Sequence, residues 1–465
     1  MTDTTAGPAA PFDLLRELYG DRELAAVFSA ERTVECWAQV EAALALAQSR
    51  LGLIDADRAA AIAEVCSDPS TIDVERLWES ARTVGYPILG LVRQVDAALP
   101  EHMRGSVHLG ATTQDIMDSG LALQLDAAMA LIDQRLTAFG HALATLVEEH
   151  AGTVMPGRTH GQQAVPTTLG AKLAVYLDEV ARHRVRLLAA RDDVRRVSLY
   201  GAGGTSAALG ESAGELRALV AEHLGLVDGP VPWHVARDSI VHVASVLVGA
   251  ATTASRLARE VTDLSRTEIG EIGEAVGHHR GASSTMPQKA NPIWSESIIG
   301  FAVAARCALP GLSRAAEAGH ERSAGEWQVE WVLLPPLFVN VGSALALAVD
   351  LVEGLVVYPE RMQSNLLADS GLIMAESAMI TLAPSVGRER AHDVVYELAL
   401  EARASGLPLS DVLDAWLAER PELPRVTVLA DRSAVGRALT VSAAAVTRWT
   451  TSLATHPRPW KDNNA

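Results

Sequence analysis

Along most of this chain apolar residues recur at steps of three and four rather than two, so the sequence predicts helices and few strands. From Trp37 the positions Val40, Leu44, Ala47 and Leu51 keep that step, with Ser29 as a predicted N-cap and Gly52 as a C-terminal cap. Leu125, Met129, Ile132, Leu136, Phe139, Leu143 and Leu146 extend it over Ser119–Glu149, roughly 30 residues or about 45 Å of helix. Thr168–Arg196, Asp238–Thr267, Pro292–Glu317 and Leu333–Val357 repeat the pattern, and Asn365–Leu382, Arg388–Ala404 and Leu409–Leu417 predict shorter helices near the end. The predicted class is therefore all-α, a three-domain subunit: an N-terminal helical region (1–104), a central bundle of long helices (105–357) and a C-terminal helical region (358–465). There is no solenoid repeat, and the polar, proline-bearing end His456–Ala465 is expected to fray.

The most apolar windows, Ile240–Ala258 and Phe338–Val357, are interrupted by His242, Ser245, Asn340, Asp350 and Glu353, and so predict buried bundle helices rather than membrane spans. Apolar seams of this length need more surface than one chain supplies, which predicts a symmetric homo-oligomer. A formal net charge of -18 argues against a nucleic-acid partner. Cys36, Cys66 and Cys307 are odd in number and far apart, which indicates neither disulfides nor a metal cluster. The N-terminus has no basic and apolar leader, so a cytoplasmic location is expected. No Gly-rich phosphate loop, flavin motif or metal-ligand spacing is present, and no cofactor is expected.

Chemistry concentrates in three loops. In GASSTMPQKANPIWSE, between Gly281 and Glu296, Ser283 and Ser284 lie in a stretch with no bulky anchor. Lys289 and Asn291 add a cation and an amide able to clamp a carboxylate, Pro292 opens a helix, and Glu296 falls on its first turn. Lys289 is one of only three lysines, with Lys172 and Lys461. SVHLGATTQDIMDSG carries His108, Thr112, Thr113, Gln114 and Asp115; GRTHGQQAVPTTLG carries Arg158, Thr159, His160, Gln162 and Gln163. Each loop precedes a predicted helix, whose N-terminal N–H groups favour anions, so together they suit a small dicarboxylate; taken singly, each set equally suits helix capping. His108 is either a substrate contact or a packing histidine. Arg237 and Arg322 are either carboxylate clamps or salt-bridged bundle residues. His278 and His279 are expected to be structural.

These three segments resemble the signature regions of the aspartase/fumarase superfamily, whose loop runs G-S-S-x-M-P-x-K-x-N, with Ala282 inserted here after the glycine. The resemblance spans most of the chain. It implies helical homotetramers of three-domain subunits, with active sites shared among three of them. A loop serine acts as general base beside a substrate carboxylate, and the resulting aci-carboxylate expels the leaving group to give fumarate or a relative. By position the base is Ser283, Lys289 and Asn291 contact a carboxylate, and Thr159 and His160 match the second region. Glu296 matches the glutamate that pairs with that histidine.

LLRELYGDRELAAVFS, YGAGGTSAALG, PWHVARD, HERSAGEWQVEW and GRERAHDVVYE resemble the branch of 3-carboxy-cis,cis-muconate cycloisomerase and adenylosuccinate lyase, nearer the former. Two positions depart from it. His160 stands where bacterial cycloisomerases commonly carry tryptophan, and Gln288 where the branch usually has histidine. The Arg-Tyr-Ser opening associated with nucleotide binding is absent. The resemblance thus implies β-elimination from a substituted succinate with a small nitrogen leaving group, nitrosuccinate releasing nitrite being the first expectation. Cycloisomerization, adenylosuccinate cleavage and a catalytically inactive structural relative are the alternatives.

Overall fold

A computed structural model describes residues 12–275, 277, 280–286, 288–426 and 430–460. Short helices α1 (Leu14–Tyr19) and α2 (Arg22–Val27) lead into α3 (Ala30–Arg50), α4 (Ala56–Ser67), α5 (Val74–Val84) and α6 (Ile88–Ala98). Ser29 accepts the Arg32 N–H at the start of α3, as its sequence predicts. The second region is built on α7 (Thr113–Glu149), α8 (Leu169–Val194), α9 (Ala213–Leu224), α10 (Asp238–Leu264), α11 (Ile293–Ala315) and α12 (Glu326–Glu353). At 37 residues α7 is longer than the sequence predicts, because polar Gln114, Asp115 and Asp118 are buried within its first turns rather than lying in a loop. α12 starts at Glu326, ahead of the predicted Leu333, and continues through Pro335 and Pro336. After it come α13 (Pro359–Leu366), α14 (Ala375–Val386), α15 (Arg388–Ser405), α16 (Leu409–Ala418) and α17 (Ala438–Thr455). The helix expected over Asn365–Leu382 is broken, since Asp369, Ser370 and Gly371 all take positive φ between α13 and α14.

α7, α8, α10, α11 and α12 pack as one bundle. Its core runs from Leu125, Ile132 and Phe139 through Leu177, Leu247 and Phe301 to Phe338 and Leu345, all essentially inaccessible. The last helix returns to this bundle, and Trp449 lies flat where α7 has no side chain: a Cβ on Gly140 would sit 2.3 Å from the indole. The next two cores in size lie apart from it. One joins α3–α6 to the start of α7 through Trp37, Leu77, Leu91 and Ile116, and the other holds α14–α16 together through Leu382, Leu398 and Leu413.

Strands are few, as predicted. β1 (Val154–Thr159) and β2 (Gln162–Thr168) form an antiparallel hairpin, and β3 (Ile272–Gly273) pairs with β4 (Val356–Val357). α10, α11 and α12 are each long and apolar enough by composition to cross a membrane. Within the chain α10 and α12 have 67% of their most apolar window buried, whereas α11 has only 39%, so α11 is left with an uncovered apolar face.

Between α8 and α10, His183 donates to or accepts from Thr253 Oγ1 at 3.0 Å, 8% exposed. Burial first, then the charge of Arg186, hold its pKa at about 4, with Glu179 opposing and Arg182 reinforcing. An unfolded chain carries the ordinary histidine value near 6.5, so below that pH it takes up a proton that the folded chain refuses until about 4. Stability is therefore predicted to fall as pH drops through this window, by on the order of 3 kcal/mol from this residue. Thermal denaturation of the wild type and His183→Gln at pH 7 and pH 4.5 checks it: the variant loses measurably less stability on acidification.

Candidate functional site

The first loop is folded around a buried carboxylate. Asp115 accepts the backbone N–H groups of Thr112 (3.1 Å), Tyr200 (2.9 Å) and Gly201 (2.9 Å) and faces His234 Nε2 at 2.8 Å. This ties the start of α7 to the Tyr200–Gly204 turn, and Arg322 reaches the same place from ahead of α12. It donates to Thr112 Oγ1 at 3.2 Å and to Gln114 Oε1 at 3.1 Å. His108 takes positive φ and places Nδ1 2.6 Å from Glu41 Oε1. Burial disfavours its charge, but the hydrogen bond and charge of Glu41 and the charge of Asp115 outweigh that and raise its pKa above the ordinary value. His108, Thr112, Thr113 and Arg322 thus form one partly exposed cationic corner, with Thr113 opening α7 beside Thr112.

The second loop is a tight hairpin rather than a helix-start loop. Thr159 pairs with Gln162 across His160–Gly161, both at positive φ (51° and 76°), the conformation of a two-residue hairpin turn. Thr159, His160 and Gln162 are exposed at its tip. Arg158 anchors the stem by a two-pronged bond to buried Glu271 at 2.9 and 2.5 Å, and Asn365 Nδ2 donates to the same carboxylate at 2.7 Å.

The third loop leaves β3 and returns to α11. Ala282 bridges Ala290, Asn291 N donates to Gly281 O at 2.8 Å, and Gly281 holds φ 61°. A Cβ on Gly281 would meet Asn291 O at 2.5 Å, so glycine is required there. Inside the loop Ser283 Oγ accepts the N–H groups of Met286 at 3.1 Å and Thr285 at 3.3 Å, which stabilise negative charge on that oxygen. Ser283, Ser284, Lys289 and Asn291 line one cavity of about 620 Å³. His278 and His279 lie outside the described residues.

Two expectations are corrected. Arg237 is no carboxylate clamp: at 3% exposure it is bonded to Asp118 (3.0 Å) and bidentately to Glu330 (2.8 and 2.5 Å), a salt-bridged residue of the bundle. The helix starts are not open anion sites either. Thr168 caps α8, and Glu274 accepts the N–H groups of Trp294 and Ser295 at the start of α11. Within one chain His160 and Glu296 are both exposed, and no hydrogen bond or ion pair links them among the described residues. The corner, the hairpin tip and the loop cavity remain three separate sets within the chain.

Glu41, Glu271 and Glu274 escape a reading of loops alone, because they are the partners that hold the loops. Only Glu41 leaves a signal, as a charge on the apolar face of α3 between Trp37 and Leu44. Among the described residues no group of three His, Cys, Asp or Glu side chains is placed to hold a metal.

Residues 10–306 match the lyase family profile and residues 371–431 match that of the adenylosuccinate lyase C-terminus. The chain is 43% identical to the 3-carboxy-cis,cis-muconate cycloisomerase of Pseudomonas aeruginosa, over 81% of this chain and 83% of that protein. It is 37% identical to the adenylosuccinate lyase of Pyrococcus abyssi, over 85% and 88%. The crystal structure of 3-carboxy-cis,cis-muconate lactonizing enzyme from Pseudomonas putida superposes with a TM-score of 0.88 at 35% identity, covering 94% of this chain and 99% of that one. A helical bundle of this form, with its three signature regions placed as described, belongs to the lyases of the aspartase/fumarase superfamily.

Proposed function

We propose that this enzyme eliminates a small nitrogen group from a substituted succinate to give fumarate, nitrosuccinate with release of nitrite being the substrate that fits best. The observation that carries the reading is Ser283 Oγ, held by two loop N–H groups in a cavity that also presents Lys289 and Asn291. A serine is a usable base only where its alkoxide is stabilised, and two N–H donors with a nearby cation supply that stabilisation. Ser283 takes the proton from the carbon next to one carboxylate. Lys289 and Asn291 hold that carboxylate as it gains charge, the C–N bond breaks, and nitrite departs with the bonding electrons. Ser284 lines the same cavity, while His108, Thr112, Thr113 and Arg322 receive the second carboxylate.

The hairpin and the loop meet between copies in this proposal, in a homotetramer that covers the exposed face of α11 and combines three subunits at each site. Thr159, His160 and Gln162 then contact the leaving group, and Glu296 of another copy fixes the imidazole tautomer. His160 favours lyase chemistry, because a histidine orients a nitro group or protonates an amine. Cycloisomerization of a carboxymuconate is the second reading, favoured by the names of the similar proteins. Incubating the enzyme with nitrosuccinate, aspartate, adenylosuccinate and carboxymuconate, and measuring fumarate and lactone, separates the two. Fumarate and nitrite are expected from nitrosuccinate; lactone without fumarate overturns the assignment.

Ser283→Ala is expected to lower kcat by about 10²–10⁴-fold with binding largely kept. His160→Ala is expected to cost as much on an amine leaving group but only about tenfold on nitrite, which leaves without a proton, and Glu296→Gln should follow His160→Ala. Steady-state kinetics on nitrosuccinate and aspartate, with proton exchange at the carbon beside the carboxylate, measures all three.

Glu41 acts through His108. Glu41→Gln removes the charge that raises the His108 pKa, so His108 loses its proton at lower pH. The alkaline limb of kcat/KM is expected to move to lower pH, with a roughly tenfold loss near neutrality. A purely structural role would scale the profile without moving that limb.

A further inference from the structure

A second cavity, of about 290 Å³, lies apart from the loop cavity, where α3 and α5 meet α7 and α12. Aromatic residues make up only 4% of the chain, yet four of its nine tryptophans, Trp37, Trp78, Trp327 and Trp331, line this one space. Trp37 and Trp78 meet edge to face at 6.2 Å, and so do Trp327 and Trp331 at 5.0 Å. Trp37 and Trp327 are buried, whereas Trp331, 38% exposed, stands at the mouth.

The polar part of the wall is anionic. Asp118 and Glu330 both line the cavity, and both are bound to Arg237. One guanidinium between two carboxylates leaves one negative charge in excess. Asp118 is 1% exposed; its Oδ2 accepts from Arg237 and from Gln114, while its Oδ1 is buried with no hydrogen-bond partner. His234, the other titratable neighbour, is engaged with Asp115 at 2.8 Å. Burial first and the charge of Glu330 raise the Asp118 pKa, against the pull of Arg237 and His234, so the buried carboxylate carries its charge at a cost that a further cation would relieve.

An anion is repelled from such a wall, and a purely apolar guest leaves the Asp118 oxygen unpaired, a cost of roughly 1–3 kcal/mol. A cation on an apolar body meets both demands. Its ammonium lies toward the Asp118 and Glu330 carboxylates that line the wall, and its charge and hydrocarbon lie against indole faces, which attract cations through their quadrupole. We propose that this cavity is a binding site for a small organic ammonium, a primary amine on a compact apolar or aryl body. The site uses none of the residues assigned to elimination, so the two readings stand or fall separately.

The test is titration of the full-length protein at neutral pH with phenethylammonium, its uncharged counterpart 2-phenylethanol and the anion 3-phenylpropanoate, followed by calorimetry and tryptophan fluorescence. Phenethylammonium is expected to saturate one site per chain and to bind about tenfold or more tighter than the alcohol, with the anion not binding. Asp118→Asn should weaken the ammonium about tenfold. Because Asp118 also holds Arg237, Trp331→Ala at the mouth serves as the second variant, and it should weaken the ammonium several-fold without touching an ion pair. Absence of saturable binding, equal affinity for the alcohol, or wild-type affinity in Trp331→Ala overturns the proposal.

Discussion

The buried carboxylate of Asp115 is the constraint on which the cationic corner depends. Fully inaccessible, it must find donors, and it takes them from three stretches far apart in sequence: Thr112 at the head of α7, Tyr200 and Gly201 in the following turn, and His234 before α10. Once those strands of chain are fixed, Thr112 has one place to be, and Arg322 is drawn onto it and onto Gln114. Removing the carboxylate would orphan several buried N–H groups at once, a larger loss than any single contact in the corner represents. The same logic recurs at the hairpin, where Glu271 gathers Arg158 and Asn365, and at α11, where Glu274 occupies the helix start. Three carboxylates position the loops and leave hydroxyls, imidazoles, amides and cations exposed on them.

The long helices were legible because burial imposes a three-four step on residues such as Leu125 to Leu146, and that step survives in one dimension. The hairpin was not, since paired Pro156 and Pro166 interrupt any strand pattern and only the His160–Gly161 turn announces it. The break at Asp369–Gly371 was hidden by apolar residues on both sides. Candidate site residues were legible by type and resemblance, but their partners were not. Arg237 lies 119 residues from Asp118 and 93 from Glu330, and a free clamp and a buried ion pair look alike until those distances close. Glu41, set on the apolar stripe of α3, was the one partner that could have been suspected from its neighbours.

Arg158 ties the hairpin stem to Glu271, just before the Ser283 loop, yet among the described residues no hydrogen bond or ion pair joins the hairpin tip, that loop and the corner at Thr112 in one chain. A second or third copy brings such sets together without bending any helix, and the uncovered apolar face of α11 is the surface such copies would use.

The central claim is that Ser283 and His160 act together although they belong to different copies. It is tested most directly by mixing two inactive variants, Ser283→Ala and His160→Ala, dissociating and reassociating them, and measuring fumarate release from a substrate that needs both residues. If each site draws the two residues from different chains, random mixing yields about a quarter of sites with both intact, and activity returns to about that fraction of the wild type. If both residues of a site come from one chain, every site keeps a defect and the mixture stays as inactive as its parents, which would contradict the account.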